Sequence, residues 1–519
     1  MIGMKEMNSI DSKKPDWRGV VCAILATLAA RLLGFVRELC VADVFGTSAT
    51  GDAFIVALSI PDILVSGFTA AIATLYIPTY FKLLKEESSN VNKAKEYNSS
   101  VLALVVLICV LLTILTEAST EFVVKLFAPG FSDYTFSITV SMLRIIVLSL
   151  IPIGVSGLFK AYGQIVNEYS LLTFLGVTIN LSVIVSLVIF KDQNLEVLSW
   201  SVVLGNVAYA LICFLLIKYK GFECSRKITF NNKYLISMLV GILPVFVSNI
   251  VAEINQVIDK NFASQLSEGS ISALNYSSKV VNLITAVIGT AISSVLFANL
   301  SKVAAEGNKQ KIAREIERIN IMVMTLIVPM FLFVFLFSGD IVRFLFGRGQ
   351  FGEESISVTA ECLMFYSIGV LGFNFKAIWV RIYNASLDTK TPAINSVIAV
   401  VCNIILNMLF ISTMKHKGLA SATGLASLIT DLLLIGLYKR KNDCIELRKL
   451  MGEMLKTVVS SMGFVLVWWV CKSLFDGNSS FLIVARWATW LVVGSLLYII
   501  NLMIINSYAG TRIRSFIKR

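Results

Sequence analysis

Apolar residues run along this chain in stretches of about 20 or more, separated by short polar segments rich in Lys and Arg. Coiled as an α-helix, such a stretch matches the roughly 30 Å hydrocarbon thickness of a bilayer. The pattern predicts about fourteen spans, near 19–40, 53–81, 98–117, 136–159, 171–190, 196–217, 234–259, 272–300, 318–338, 357–380, 392–413, 418–438, 456–475 and 482–506. Almost no sequence is left for a soluble domain. The segment before Trp17 is polar and basic and lacks a cleavage pattern. The run after it is longer than a signal-peptide core, so it reads as an uncleaved first span. The fold class expected is an all-α polytopic membrane protein.

Composition fits that class: 56% of residues are hydrophobic, 15% are charged and mean hydropathy is +0.80. A soluble protein carries roughly 25% charged residues. The net charge of +12 changes the picture only when it is placed. Assigning the connecting segments alternately puts 31 Lys and Arg on the side of the N-terminus and 8 on the other. Basic residues stay in the cytoplasm, so both termini are expected there. The charge is then a topology signal, and no nucleic-acid partner is expected. Segments 82–95, 302–318 and 439–456 carry the same bias and suit anionic lipid headgroups. The nine cysteines show no Cys-x-x-Cys spacing and read as small packing residues. With one histidine, His416, a histidine-based metal site is not expected.

A period of about 220 residues runs through the chain. Lys82 matches Lys302, Ala94-Lys95-Glu96 matches Ala313-Arg314-Glu315, and Leu126-Phe127 matches Leu345-Phe346. Six predicted spans separate the copies, an even number, so the copies share one orientation. That predicts two six-helix lobes in a parallel repeat, 1–220 and 221–440, with two extra spans in 441–519.

Ionisable groups inside spans are costly, and they mark either function or buried pairing. The first span reads Arg31-Leu32-Leu33-Gly34-Phe35-Val36-Arg37-Glu38. The two arginines are six residues apart, about 120° off one helix face, and Gly34 permits a bend between them. A guanidinium fork suits phosphate or pyrophosphate. Equally, Arg37 suits an ion pair with Glu38 or Asp52, and Arg31 suits snorkelling to an interface. Lys279 in the eighth span faces the same two readings. Lys376 and Arg144 suit burial beside acids such as Glu361, or a position near an interface. A second cluster is rich in oxygen: Asp259 in the seventh span, Asn403 and Asn407 in the eleventh, Thr423 and Asp431 in the twelfth. Such oxygens suit a hard cation, and equally suit hydrogen bonds between helices.

At this point the motifs resemble a known family. Arg31-Leu-Leu-Gly-Phe-Val-Arg37-Glu38, Phe45-Gly46, Asp52-Ala53-Phe54, Ile60-Pro61 and Ile77-Pro78 resemble the opening of the MurJ/MviN lipid II flippases. These belong to the multidrug/oligosaccharidyl-lipid/polysaccharide exporter superfamily. Ala128-Pro129-Gly130-Phe131, Pro244, Phe262-Ala263-Ser264, Tyr276 and Asp388-Thr389-Lys390-Thr391-Pro392 continue the match in order.

The resemblance implies two six-helix lobes around a central cavity, with the last two spans lining a groove for a lipid tail. It implies a flippase of the bacterial cytoplasmic membrane, not an enzyme, moving an undecaprenyl-pyrophosphate-linked glycopeptide to the outer leaflet. Cell-wall synthesis proteins are implied partners. Arg31 and Arg37 match cavity arginines that meet the pyrophosphate, and Asp52 matches the acid that follows them. Lys279 replaces the family's eighth-span arginine. Val65-Ser66 and Thr69-Ala70-Ala71-Ile72 replace its second-span arginines and the segment after them. Lys376 is a compensating group. The family's sodium site, where it occurs, maps onto Asp259, Asn403, Asn407, Thr423 and the carbonyl of Leu419, with Asn407 standing where a carboxylate would add charge. Sodium is thus the implied coupling ion, and no other cofactor is expected. An exporter of another polyprenyl-linked glycan, a membrane glycan polymerase or ligase, and a scaffold binding through basic loops are the alternatives. The short outside loops, without paired acids and a His, count against the polymerase.

Overall fold

The computed structural model describes residues 17–86, 91–190, 194–305, 309–441, 447–475 and 477–517. The tail before Trp17 and parts of the basic segments 82–95, 302–318 and 439–456 lie outside the described residues. All regular structure among the described residues is helical. Ten helices there are long and apolar enough to cross a membrane, which makes the chain a multi-pass membrane protein. One of them, Lys390–Lys441, carries both the eleventh and twelfth predicted spans and is broken at Lys415, φ +49°. The first, seventh and eighth predicted spans lie in helices Trp17–Phe45, Lys233–Ser264 and Ser270–Ala305.

The repeat recurs in the order of elements. Helix Val91–Ala118 is followed by the short helix Thr120–Phe127, then by Asp133–Ile146 and Leu150–Ile165, divided by a 3-10 turn at Val147–Ser149. Helix Lys309–Leu336 is likewise followed by Ser338–Phe346, then by Glu353–Tyr366 and Ile368–Ala385, divided at Ser367. Each short helix buries its final phenylalanine, Phe127 or Phe346, just before a proline- or glycine-containing turn.

By packing, the chain divides into residues 1–269 and 270–519. Helix Lys233–Ser264 opens the second sequence repeat, yet it packs along Ala49–Glu86 of the first unit. The division at 269 is one of packing. Those at 220 and 440 are ones of sequence similarity.

In the first unit, stacked Tyr76 and Tyr97, the edge-on pair Tyr80 and Tyr162, and Phe222 form an aromatic core. Beside it the segment after helix Leu195–Tyr219 is bound to the helix Val91–Ala118. Ser225 N–H donates to Ser99 Oγ at 2.7 Å, Thr229 N–H to Ser100 Oγ at 3.0 Å, and Asn98 Nδ2 to the Glu223 carbonyl at 3.2 Å.

Two stretches of the family-like sequence meet in this unit. Gly130 N–H donates to Ser264 Oγ at 3.1 Å, and Asn261 Nδ2 donates to the Leu126 carbonyl at 3.0 Å. A Cβ on Gly130 would stand 2.5 Å from the Ser264 carbonyl oxygen, so only glycine fits. A few residues on, Gly269 N–H donates to the buried Asp52 Oδ2 at 2.8 Å. Gly269 holds φ +86° against the Thr47 carbonyl, a conformation that favours glycine. Asp52 thus clamps the end of the unit to the start of helix Ala49–Glu86.

In the second unit, Ser277 Oγ donates to the Thr359 carbonyl at 2.9 Å, and Tyr276 packs on Phe346 and Phe351. The final helices join through Arg486, which donates to Asp340 Oδ1 at 2.8 Å and to the Phe475 carbonyl at 3.1 Å. Tyr498 O–H adds a bond to the Thr325 carbonyl at 3.1 Å. Asp388, in the Asp-Thr-Lys-Thr-Pro motif, starts the helix Lys390–Lys441 as a cap. Thr391 N–H and Thr391 Oγ1–H donate to its carboxylate at 3.0 and 2.8 Å, and Lys441 Nζ reaches it from the helix's far end at 2.7 Å. The Lys441 ammonium, with the two Thr391 donors, holds the Asp388 carboxyl well below the usual carboxylate range.

Two outcomes are expected. Asp52→Ala leaves the Gly269 N–H unpaired in a buried place, and should lower stability by about 1.5–3 kcal/mol. Thermal unfolding in detergent measures it, and an unchanged midpoint would show that the clamp contributes nothing. Asp388 has a depressed carboxyl in the folded state, so its contribution is present above the unfolded value of about 3.9. It is lost as pH falls through the lower folded value. The midpoints of wild type and Asp388→Asn should therefore differ near neutrality and converge in strong acid.

Candidate functional site

The first helix, Trp17–Phe45, runs unbroken through Gly34, where an added Cβ would stand 3.7 Å from the Asn180 side chain. Arg31 and Arg37 accordingly meet different surroundings. Arg31 is exposed and makes no hydrogen bond or ion pair among the described residues. Arg37 is largely buried and donates from Nη2 to Glu38 Oε1 at 2.7 Å. Glu38 is only 4% exposed. Neighbours in a helix do not normally face each other, and here the long arginine folds back onto the acid beside it. One edge of the fork is thus neutralised, and the buried Arg37 Nε donor is left without an acceptor among the described residues. Asp52 is buried at 3% exposure, and its carboxylate faces the Gly269 backbone.

At the positions where the family carries second-span arginines, Val65 is fully buried and Ser66 Oγ donates to the Ile63 carbonyl at 3.1 Å. Neither presents a cation. In the second unit Lys279 is half-buried and has no ion pair among the described residues. It lies two residues after Ser277, whose Oγ bonds the Thr359 carbonyl.

Lys376 and Arg144 each have an acid near them, but that acid is not Glu361. Glu361 does not meet Lys376; it accepts His416 Nε2 at 3.0 Å and Lys417 Nζ at 2.9 Å. Those two residues directly follow the break at Lys415, which turns them toward helix Glu353–Tyr366. Lys376 instead interacts electrostatically with Asp431. Arg144 reaches Glu117 at 3.9 Å, and both are about half exposed.

Of the oxygen-rich residues of the second unit, Asn403, Asn407 and Thr423 come together, and Asp431 is not bonded to them. Asn407 Nδ2 donates to Asn403 Oδ1 at 2.9 Å, Asn403 Nδ2 to Thr423 Oγ1 at 3.3 Å, and Thr423 Oγ1 to the Leu419 carbonyl at 3.1 Å. Asn403 and Asn407 are 2% and 0% exposed. This chain joins one helix segment before the break at Lys415 to the one after it. Its oxygens are neutral and suit a monovalent cation, which would replace amide and hydroxyl donors now bonded within the chain. Asp259 belongs to the first unit, where its Oδ2 accepts Asn255 Nδ2 at 3.2 Å.

Sequence reasoning passed over the lacing of 223–229 onto Asn98, Ser99 and Ser100. Its only trace is an unremarkable Asn-Ser-Ser run.

Several known proteins are similar to this chain in sequence or in fold. A probable lipid II flippase MurJ of Buchnera aphidicola (subsp. Acyrthosiphon pisum) is 27% identical over 432 residues, 81% of this chain and 84% of the relative. A probable lipid II flippase MurJ of Rhizobium meliloti is 29% identical over 422 residues, 79% and 78% of the two chains. The lipid II flippase MurJ of Burkholderia cenocepacia is 27% identical over 429 residues, 80% and 82%. Among solved structures, a lipid II flippase MurJ in an inward closed conformation superposes with a TM-score of 0.79 at 24% identity. It covers 93% of this chain and 98% of that one. An inward-facing multidrug resistance transporter of the MATE family shares the fold more distantly, with a TM-score of 0.63 at 13% identity over 80% of this chain and 97% of its own. The family described as lipid II flippase MurJ matches residues 41–487, and this chain belongs to it.

Proposed function

We propose that this protein moves lipid II, a polyprenyl-pyrophosphate-linked glycopeptide, from the inner to the outer leaflet of the bacterial cytoplasmic membrane by alternating access. Both termini lie in the cytoplasm, as the bias in basic residues supports. It acts as a transporter and not as an enzyme. The observation that carries the reading is Arg37, a largely buried charge on the helix that holds the first predicted span. Its acid partner takes one edge of the fork, and its Nε donor is unpaired among the described residues. That arrangement holds a guanidinium away from water and leaves it able to bond a phosphate oxygen. Arg31 and Lys279 are the further cationic contacts, each without an ion pair among the described residues. Lys376 has a neighbouring acid and contributes to the substrate less directly.

Sodium is the proposed coupling ion, and the oxygens of Asn403, Asn407, Thr423 and Leu419 support that reading. A ligand drives the transport cycle only through differing affinity for its two states. Cell-wall synthesis proteins, which supply and consume the lipid, are the proposed partners. A second reading, export of another polyprenyl-pyrophosphate-linked glycan, draws on Val65 and Ser66, where cationic contacts to the headgroup are lost.

Cells depleted of their own lipid II flippase test the proposal. The wild-type gene should restore lipid II to the outer leaflet. Arg37→Ala should reduce it roughly tenfold or more, the loss of one charged hydrogen bond, and Arg37→Lys should recover part of it. No outer-leaflet lipid II with an expressed, membrane-inserted wild type would rule the reading out.

A further inference from the structure

The second unit contains an acid that neither the substrate nor the sodium reading uses. Asp431 is 2% exposed, and neither of its carboxylate oxygens has a hydrogen-bond partner among the described residues. It sits in the middle of a close-packed seam between Ile368–Ala385 and the second half of Lys390–Lys441. On one side of it, a Cβ on Gly424 would stand 2.8 Å from Gly369 N, and a Cβ on Gly372 would stand 2.7 Å from Ser427 Cβ. On the other side, Tyr383 O–H donates to the Leu434 carbonyl at 2.9 Å, and Trp379 and Tyr383 pack edge-on against Tyr438. Positions 369, 372, 376, 379 and 383 share one helix face, and 424, 427, 431, 434 and 438 share the other. Lys376 and Asp431 therefore occupy the same level of the seam.

The titratable side chains on the elements packed against this helix are few. Helix Ile368–Ala385 brings Lys376, Arg381 and Tyr383. Helix Glu353–Tyr366 brings Glu353, Glu354, Glu361, Cys362 and Tyr366, with Glu353 paired to Arg343 at its start. Helix Ser270–Ala305 brings Tyr276 and Lys279. Of these, Lys376 alone acts on Asp431. Glu361 already faces His416 and Lys417.

A buried carboxylate without hydrogen bonds is costly unless a cation balances it or a proton removes the charge. Lys376 balances it in part, without closing a hydrogen-bonded pair. One turn before Asp431 on the same face, the Ser427 hydroxyl is also buried without a partner. A protonated Asp431 would have an O–H to donate, and Ser427 Oγ is an acceptor one turn away. Both orphaned groups are satisfied by the same proton.

We propose that Asp431 is a proton-binding site, with Lys376 its counter-charge and Ser427 the acceptor for the bound proton. Water supplies the proton as hydronium. An O–H bond forms on one carboxylate oxygen, and the proton returns to water on release. Lys376 keeps its three ammonium protons throughout. Deprotonated, the Lys376–Asp431 attraction holds the middle of the seam. Protonated, that attraction is lost and the Asp431–Ser427 bond takes its place. The site adds a proton to the ions that act on the transport cycle, and in that consequence alone it rests on the flippase reading.

Infrared difference spectra of the full chain in lipid vesicles, taken between acid and alkaline pH, test the site without reference to transport. Wild type should show a protonated-carboxyl band that Asp431→Asn lacks. Lys376→Gln should retain the band to higher pH, since the opposing charge is gone. Ser427→Ala should shift the band's frequency by removing its acceptor. A band identical in wild type and Asp431→Asn would overturn the proposal, as would one unmoved in Lys376→Gln. The same vesicles carrying lipid II give the second readout. Wild-type flipping should vary with an imposed pH difference, and Asp431→Asn flipping should not. If wild type shows the Asp431 band and flips no lipid II, the proton site stands and the flippase reading fails.

Discussion

A polar or charged group held away from water must find a partner, and that constraint organises this protein. A helix satisfies its own backbone, so the apolar stretches can cross a bilayer. The side chains that break the apolar pattern then have to be accounted for one by one. Asp52 meets the Gly269 N–H, Arg486 meets Asp340 and a carbonyl, and Asn403, Asn407 and Thr423 bond in sequence. Where the accounting leaves a remainder, as at Arg37 Nε and the Asp431 carboxylate, the remainder marks chemistry that needs a further participant.

How much of this was legible in the sequence follows from range. Helical spans are local, so periodicity and length predicted them, including the division of Lys390–Lys441 near Lys415. The repeat was legible as well, and it returns as a short helix followed by a broken one in each half. Motifs such as Ala-Pro-Gly-Phe and Phe-Ala-Ser were legible as words but not as a contact. That they dock through Gly130 and Ser264 depends on packing across more than a hundred residues. Arg37 with Glu38 was one of two pairings left open, and the distance decides between them. Glu361 was assigned to the wrong cation because the turn at Lys415, a positive φ outside glycine, swings His416 and Lys417 onto it. The turn itself was legible between the two spans, but not the backbone angle at Lys415 that sets which way those side chains face.

The two halves use the repeated framework unequally. Each carries a Phe-Lys-Ala run in its fourth span, at 159–161 and 375–377. In the first unit Lys160 lies over the Tyr209 ring, 5.0 Å from its centre. In the second the corresponding lysine has Asp431 opposite it. The matching lysines of a repeated sequence thus stand in different surroundings. The same inequality separates the arginine-bearing first helix from the amide-rich chain around Asn403.

The position of Gly269 bears on how such a gene can be divided. A break made where the ancestral halves join, near 220, would separate helix Lys233–Ser264 from the helix it packs along and cut the chain beside the segment laced to Ser99 and Ser100. A break after Gly269 leaves both, and the Asp52 clamp, within one fragment. The sequence repeat sets its boundary near 220. The compact units of the structure meet about fifty residues downstream, after Gly269.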